Sequence, residues 1–143
     1  MNKKGLILNK SYDDFMLGTS VINYINRPHQ IDIHDDPFAW ECYTFFQNGF
    51  DRFDIELWCE NKIIKRICCN QSCIYKGKEL INMNYTEFLC LIDETPLAHD
   101  IIYVLVNKNH GQNQHVYDFD KSGLQVWVWR NKIRTVIISN SID

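Results

Sequence analysis

The stretch that decides the fold is GLQVWVWRNKIRTVII, residues 123–138. Apolar residues alternate on both sides of an Arg-Asn-Lys break, which is the pattern of a two-stranded hairpin. Asn131 suits a tight turn because asparagine tolerates positive φ. On a strand, Leu124, Val126 and Val128 point one way and Gln125, Trp127 and Trp129 the other. The aliphatic side is expected to face packed helices. The tryptophan side faces away from them, either as packing or as a partner surface.

The same grammar occurs earlier in the chain. ENKI at 60–63 echoes RNKI at 130–133, and Phe53-Asp54 and Phe119-Asp120 precede the two hairpins. GTSVINYINRP reads as a short helix with Thr19 or Ser20 as cap, a stripe of Val21, Ile22 and Ile25, and Pro28 after its end. MNYTEFLCLIDETP reads alike, with Asn84 or Thr86 as cap, a stripe of Phe88, Leu89 and Ile92, and Pro96 as terminator. Strand-like runs follow each: FAWECYTFF, FDIELWCE and KIIKRICC after the first, DIIYVLV, LQVWVW and KIRTVII after the second. The expected class is α+β, a twisted antiparallel sheet of about six strands with two short helices on one face. The pattern fits a tandem αβββ duplication, with pseudo-repeats at 15–70 and 84–140 inside a single domain of residues 1–143.

The 143 residues are 45% hydrophobic and 13% aromatic, enough for a core, and prolines and glycines are few. No apolar run is long enough to span a bilayer as a helix, and the basic start MNKKGLILNKSYDD lacks a signal-peptide pattern. A cytoplasmic location is expected, with Cys42, Cys59, Cys68, Cys69, Cys73 and Cys90 as free thiols. CCNQSC, residues 68–73, lacks the paired spacing of a zinc site, though it could contribute to one. No cofactor is called for.

Net charge is −3, unevenly spread. Between Asp32 and Glu60 lie eight acids and one base, so this segment carries −7 and the rest of the chain +4. It repels phosphate and attracts a basic partner. HQIDIHDDP, with His29, Asp32, His34, Asp35 and Asp36, could hold a divalent metal, perform acid–base work, or form a solvated or protein-binding loop. NKNHGQNQH, with His110 and His115, reads as a flexible hairpin loop. Phosphate-loop, dinucleotide, zinc-protease and nucleophile-elbow motifs are lacking. Lys62, Lys65 and Arg66 lack a stacking platform for nucleic acid.

In FMLGTSVINYI, CIYKGKELINMNYTEFLCLI and YDFDKSGLQVWVWRNKIRTVII, under half of the chain, the protein resembles bacterial immunity proteins of contact-dependent growth inhibition and related polymorphic toxin systems. The resemblance implies a non-enzymatic inhibitor that binds a toxin C-terminal domain, commonly a nuclease, without touching nucleic acid or membrane. A nuclease is basic, so a negative patch would steer it in. The expected partner-binding residues are Asp32, His34, Asp35, Asp36, Trp40, Glu41, Asp51 and Asp54, with Phe38, Phe50 and Phe53 as neighbouring apolar anchors. The alternatives are a small metal- or ligand-binding enzyme built on His29–Asp36, or a structural adaptor.

Overall fold

The computed structural model describes residues 5–34, 39–45 and 55–140. A small three-stranded sheet comes first, made of β1 (Leu6–Ile7), β2 (Ser11–Tyr12) and β3 (Phe15–Met16). A 3-10 turn at Val21–Tyr24 follows, then a four-stranded meander of β4 (His29–His34), β5 (Trp40–Phe45), β6 (Ile55–Glu60) and β7 (Ile63–Cys69). The second half begins with a short hairpin, β8 (Ile74–Tyr75) and β9 (Lys78–Glu79). It continues through helix α1 (Tyr85–Ile92) into a second meander of β10 (Ala98–Asn107), β11 (His110–Phe119), β12 (Leu124–Trp129) and β13 (Lys132–Ser139). The two meanders join edge to edge through β7 and β13. The result is one eight-stranded antiparallel sheet of order β10-β11-β12-β13-β7-β6-β5-β4.

This overturns the expected six strands and two helices, and with them the αβββ unit. The protein is mostly β, 58% strand against 10% helix, with one α-helix among the described residues. The first expected helix is only a 3-10 turn. Ser20 does cap it, its hydroxyl accepting from the Ile22 N–H at 3.2 Å. However, the buried pair is Val21 and Tyr24, while Ile22 and Ile25 are exposed. That spacing of three is the 3-10 period, and a run rich in β-branched residues and asparagine gives little support to longer helix. The expected α1 is present, but Asn84 caps it without a side-chain hydrogen bond, and Asp93 ends it in the left-handed region. The two added strands have the composition of loops: HQIDIH forms β4, and HGQNQ forms the start of β11.

The junction has an approximate two-fold. Cys68 faces Ile137, and on either side Ile67 faces Ile138 and Cys69 faces Val136. Registers match on both sides of it. β6 and β7 shift register after Trp58, and β12 and β13 shift after Trp127, so Lys65 and Arg134 occupy equivalent bulges. The turns match too. Asn61 and Lys62 have φ of 51° and 65°, and Arg130 and Asn131 have 51° and 63°. ENKI and RNKI, identical in three letters, are therefore displaced by one residue in space.

In each half, the segment entering the helix adds backbone bonds to this hairpin. Val21 N–H donates to Lys62 O at 2.8 Å, and Tyr85 N–H donates to Asn131 O at 2.8 Å. Leu57, Ile64, Ile67, Val126, Ile133, Val136 and Ile138 are fully buried on the sheet's inner face. Phe88 of α1 meets Phe119 edge-on at 5.4 Å, and Tyr85 stacks on Tyr117 at 4.2 Å. Phe15 packs against Tyr24 and Phe45 at the other end. Gly123 starts the β12 hairpin at φ 68°, where an added Cβ would strike the Ser139 carbonyl. Leu124, Val126 and Val128 are buried, while Gln125, Trp127 and Trp129 on the outer face are half-buried. Among the described residues no helix is long and apolar enough to cross a membrane.

Candidate protein-binding surface

Strand β4 is one open edge of the large sheet. Its pairing with β5 sets which residues share a face: Asp32 lies opposite Cys42, His34 opposite Trp40, and Ile33 opposite Glu41. Alternation places Gln30, Asp32 and His34 on the outer face and His29, Ile31 and Ile33 on the inner one. His29 is held locally: its Nδ1 lies 2.8 Å from the Arg27 carbonyl, and its ring stacks on Phe45 at 5.4 Å. His29 is thus separated by the sheet from Asp32 and His34. Among the described residues no three His, Cys, Asp or Glu side chains assemble into a metal cage.

The outer face has an aromatic ladder. His34 stacks flat on Trp40 at 4.1 Å, and Trp40 leans on Trp58 at 5.7 Å. Trp58 is paired with Arg66 on β7. A shallow cavity of about 100 Å3 lies here, lined by Trp40, Trp58, Cys59, Glu60, Lys65 and Arg66. The Trp58 indole Nε1 is buried with no hydrogen-bond partner. At the equivalent place in the other half, Trp127 Nε1 donates to Gln125 Oε1 at 2.9 Å, and Gln125 in turn donates to Asp118 at 2.9 Å. Gln125 has Glu56 as its counterpart, and Glu56 instead accepts the Cys42 thiol at 3.4 Å. Burial first, then the neighbouring Glu56 carboxylate, push the Cys42 thiol up to about 12.

Of the expected partner-binding residues, Asp32, His34 and Trp40 share this outer edge. Glu41 does not: it accepts the Lys62 N–H at 3.1 Å and so fastens the β6–β7 turn. Asp35, Asp36, Asp51 and Asp54, with Phe38, Phe50 and Phe53, lie outside the described residues. Sequence reasoning missed Trp58 and Arg66, which only the β5–β6–β7 register brings beside Trp40. It also missed the exposure of Ile31 and Ile33 (46% and 72%) on either side of Asp32. Apolar residues alternating with polar ones in HQIDIH were the available signal.

Other chemical groups are dispersed. Cys68 faces outward and Cys69 inward from β7, both buried, so CCNQSC does not converge on one point. The Cys69 thiol is pushed up by its hydrogen bond with Cys73, and further by burial. His99 Nε2 lies 2.8 Å from His115 Nδ1 in a stack continuing to Tyr117, a pair without a third ligand. Trp129 is covered by the guanidinium groups of Arg130 and Arg134, at 4.4 and 5.2 Å. Family models, curated proteins and solved structures were all compared with this chain, and none matches it.

Proposed function

We propose that this chain acts by binding another protein, as a stoichiometric inhibitor of a basic toxin domain. The observation that carries the reading is the β4 edge. It combines unpaired backbone groups, an exposed carboxylate at Asp32, two exposed isoleucines beside it, and the His34–Trp40–Trp58 ladder on one face. An open edge offers main-chain hydrogen bonds to a partner strand, and aromatic side chains supply apolar anchors. The −7 segment containing it steers a basic partner inward.

The enzyme reading on His29–Asp36 needs its histidines and carboxylates to converge, whereas His29 and His34 point to opposite faces of β4. The adaptor reading on Trp127 and Trp129 needs a free apolar patch, whereas the first is hydrogen-bonded and half-buried and the second lies under two arginines.

The test uses the C-terminal domain encoded by the reading frame immediately upstream. Wild-type protein should bind it at a rate that falls with added salt. Asp32→Lys, and Asp35→Lys with Asp36→Lys, should slow association at least tenfold while the thermal transition stays in place. Failure to bind, or association rates unchanged by both substitutions, would refute the proposal.

A further inference from the structure

The opposite edge of the sheet, β10, has a different character. It is ten residues long, and its run Ile101-Ile102-Tyr103-Val104-Leu105-Val106 carries no charge, proline or glycine. Ile101, Tyr103 and Leu105 are 55%, 62% and 69% exposed. β12 pairs only with residues 115–119 of β11, so the part of the β10–β11 hairpin beyond His115 extends past its neighbour as a two-stranded arm. Such an arm is marginal alone in water, and a long apolar edge without charge invites pairing.

We infer that β10 is a self-association edge, and that a second copy of this chain pairs with it antiparallel about a two-fold axis at Tyr103. The Ile101 N–H is taken by the carboxylate of its neighbour Asp100 at 2.8 Å, so it points away from β11. By the two-residue alternation of an antiparallel ladder, Tyr103 and Leu105 present their N–H and C=O groups to the same open side. These three outward residues are symmetric about Tyr103. Two copies therefore align Tyr103 with Tyr103, and Ile101 with Leu105 in both directions, through about four backbone hydrogen bonds, rising to about six when each Ile101 N–H exchanges the Asp100 carboxylate for the Leu105 carbonyl of the other copy. Ile102 then faces Val104 on the other side of the ribbon.

Charge selects this occupant. On the proposed reading a basic partner finds its complement at β4, which carries Asp32 within the −7 segment, whereas β10 between 101 and 106 is neutral and matches a neutral strand. In this register each Asp100 faces Val106 of the other copy, which keeps the two carboxylates about 20 Å apart and avoids like-charge pairing. The Tyr103 ring lies over Gly111 of β11, where any Cβ would collide with it, so the ring is laid across its own hairpin and leaves the edge clear. The surface is separate from the proposed inhibitory edge, so either assignment can fail alone.

Sedimentation equilibrium of the purified chain from micromolar to near-millimolar concentration tests this. Wild type should reach twice the 17.0 kDa chain mass, with little salt dependence. Ile101→Lys with Leu105→Lys places ammonium groups opposite each other across the two-fold and should weaken association at least tenfold. Ile101→Glu with Leu105→Lys places opposite charges there and should restore it, now sensitive to salt. Circular dichroism checks that all forms fold. A chain that stays monomeric throughout would overturn the inference, and so would a dimer indifferent to both double substitutions or pairing only with strands of a different protein.

Discussion

Replacing one lysine by glycine in each hairpin should produce effects of opposite sign. Lys62 and Lys132 hold the same place in ENKI and RNKI, so an alignment treats them as equivalent. The structure does not: Lys62 is the second turn residue, at φ 65°, whereas Lys132 is already on β13, paired with Trp129. A side chain in the left-handed region costs about 1–2 kcal/mol, which glycine avoids. Glycine adds about 0.5–1 kcal/mol of backbone entropy to the unfolded chain. Lys62→Gly should therefore stabilise the fold by about 0.5–1 kcal/mol, and its bonds to Val21 and Glu41 survive because they use main-chain atoms of residue 62. Lys132→Gly bears the entropy alone and should destabilise by about 0.5–1 kcal/mol. At about 2–4 °C per kcal/mol for a chain of this size, the two transitions should differ by several degrees in a thermal melt. Shifts of the same sign would mean that the turn sits at Asn131–Lys132 and that the register assigned to the second hairpin is wrong.

Val126→Asp and Val136→Asp each put a carboxylate at a fully buried position on the inner face, so each should remove more than about 4 kcal/mol or abolish folding, as read by urea titration. Stability should also fall as pH rises above about 9. Cys42 and Cys59 ordinarily ionise near 9.0 and are pushed up to about 12, chiefly by burial, so the unfolded chain loses thiol protons that the folded chain retains. Their contribution is complete below pH 9 and is lost as pH climbs toward 12; a urea midpoint constant from pH 8 to 11 would contradict it. In the native protein the exposed Cys90 should react first with a thiol reagent, and all six thiols should react after denaturation.

The hairpins were legible because their strands bury one face. LQVWVW and KIRTVII show the period of two that burial imposes, and TEFLCLI shows the spacing of a helix packed on one side. The two strands read as loops, β4 and the first half of β11, bury little on either face. HQIDIH does alternate, but its histidines, glutamine and aspartate, like the glutamines and asparagine of HGQNQ, have loop composition, whereas the equally exposed β10 is legible through its β-branched and aromatic residues. The first helix failed in another way. Its expected stripe of Val21, Ile22 and Ile25 follows an α-helical spacing, whereas the structure buries Val21 and Tyr24, three apart, and exposes Ile22 and Ile25. The candidate surface was half legible. Asp32, His34 and Trp40 stood out by charge and aromaticity, but Trp58 and Arg66 join them only through strand register.

The two-fold also explains why one sheet carries two unlike edges. Through the paired strands, Asp32 corresponds to Asp100 and Ile33 to Ile101, so β4 and β10 share an Asp-Ile pair between unlike neighbours, Gln30 and Ile31 before it in one and Ala98 and His99 in the other. They differ again at the next residue. β4 reaches His34, which stacks on Trp40; β10 places Ile102 there and runs on to Asn107. β4 carries Asp32 within the −7 segment of the chain, where a carboxylate discourages pairing with another acidic edge. β10 runs from Asp100 through six uncharged residues, 101–106, which carry no charge to discourage the proposed self-pairing. On the proposed reading, the edge that carries Asp32 meets a basic partner and the uncharged run of β10 meets a second copy. Shortening the arm by deleting Val104–Gln112 should abolish self-association while leaving association at β4 unchanged, as measured by sedimentation and by binding kinetics on the same preparation. Loss of both together would show that the two edges are not independent.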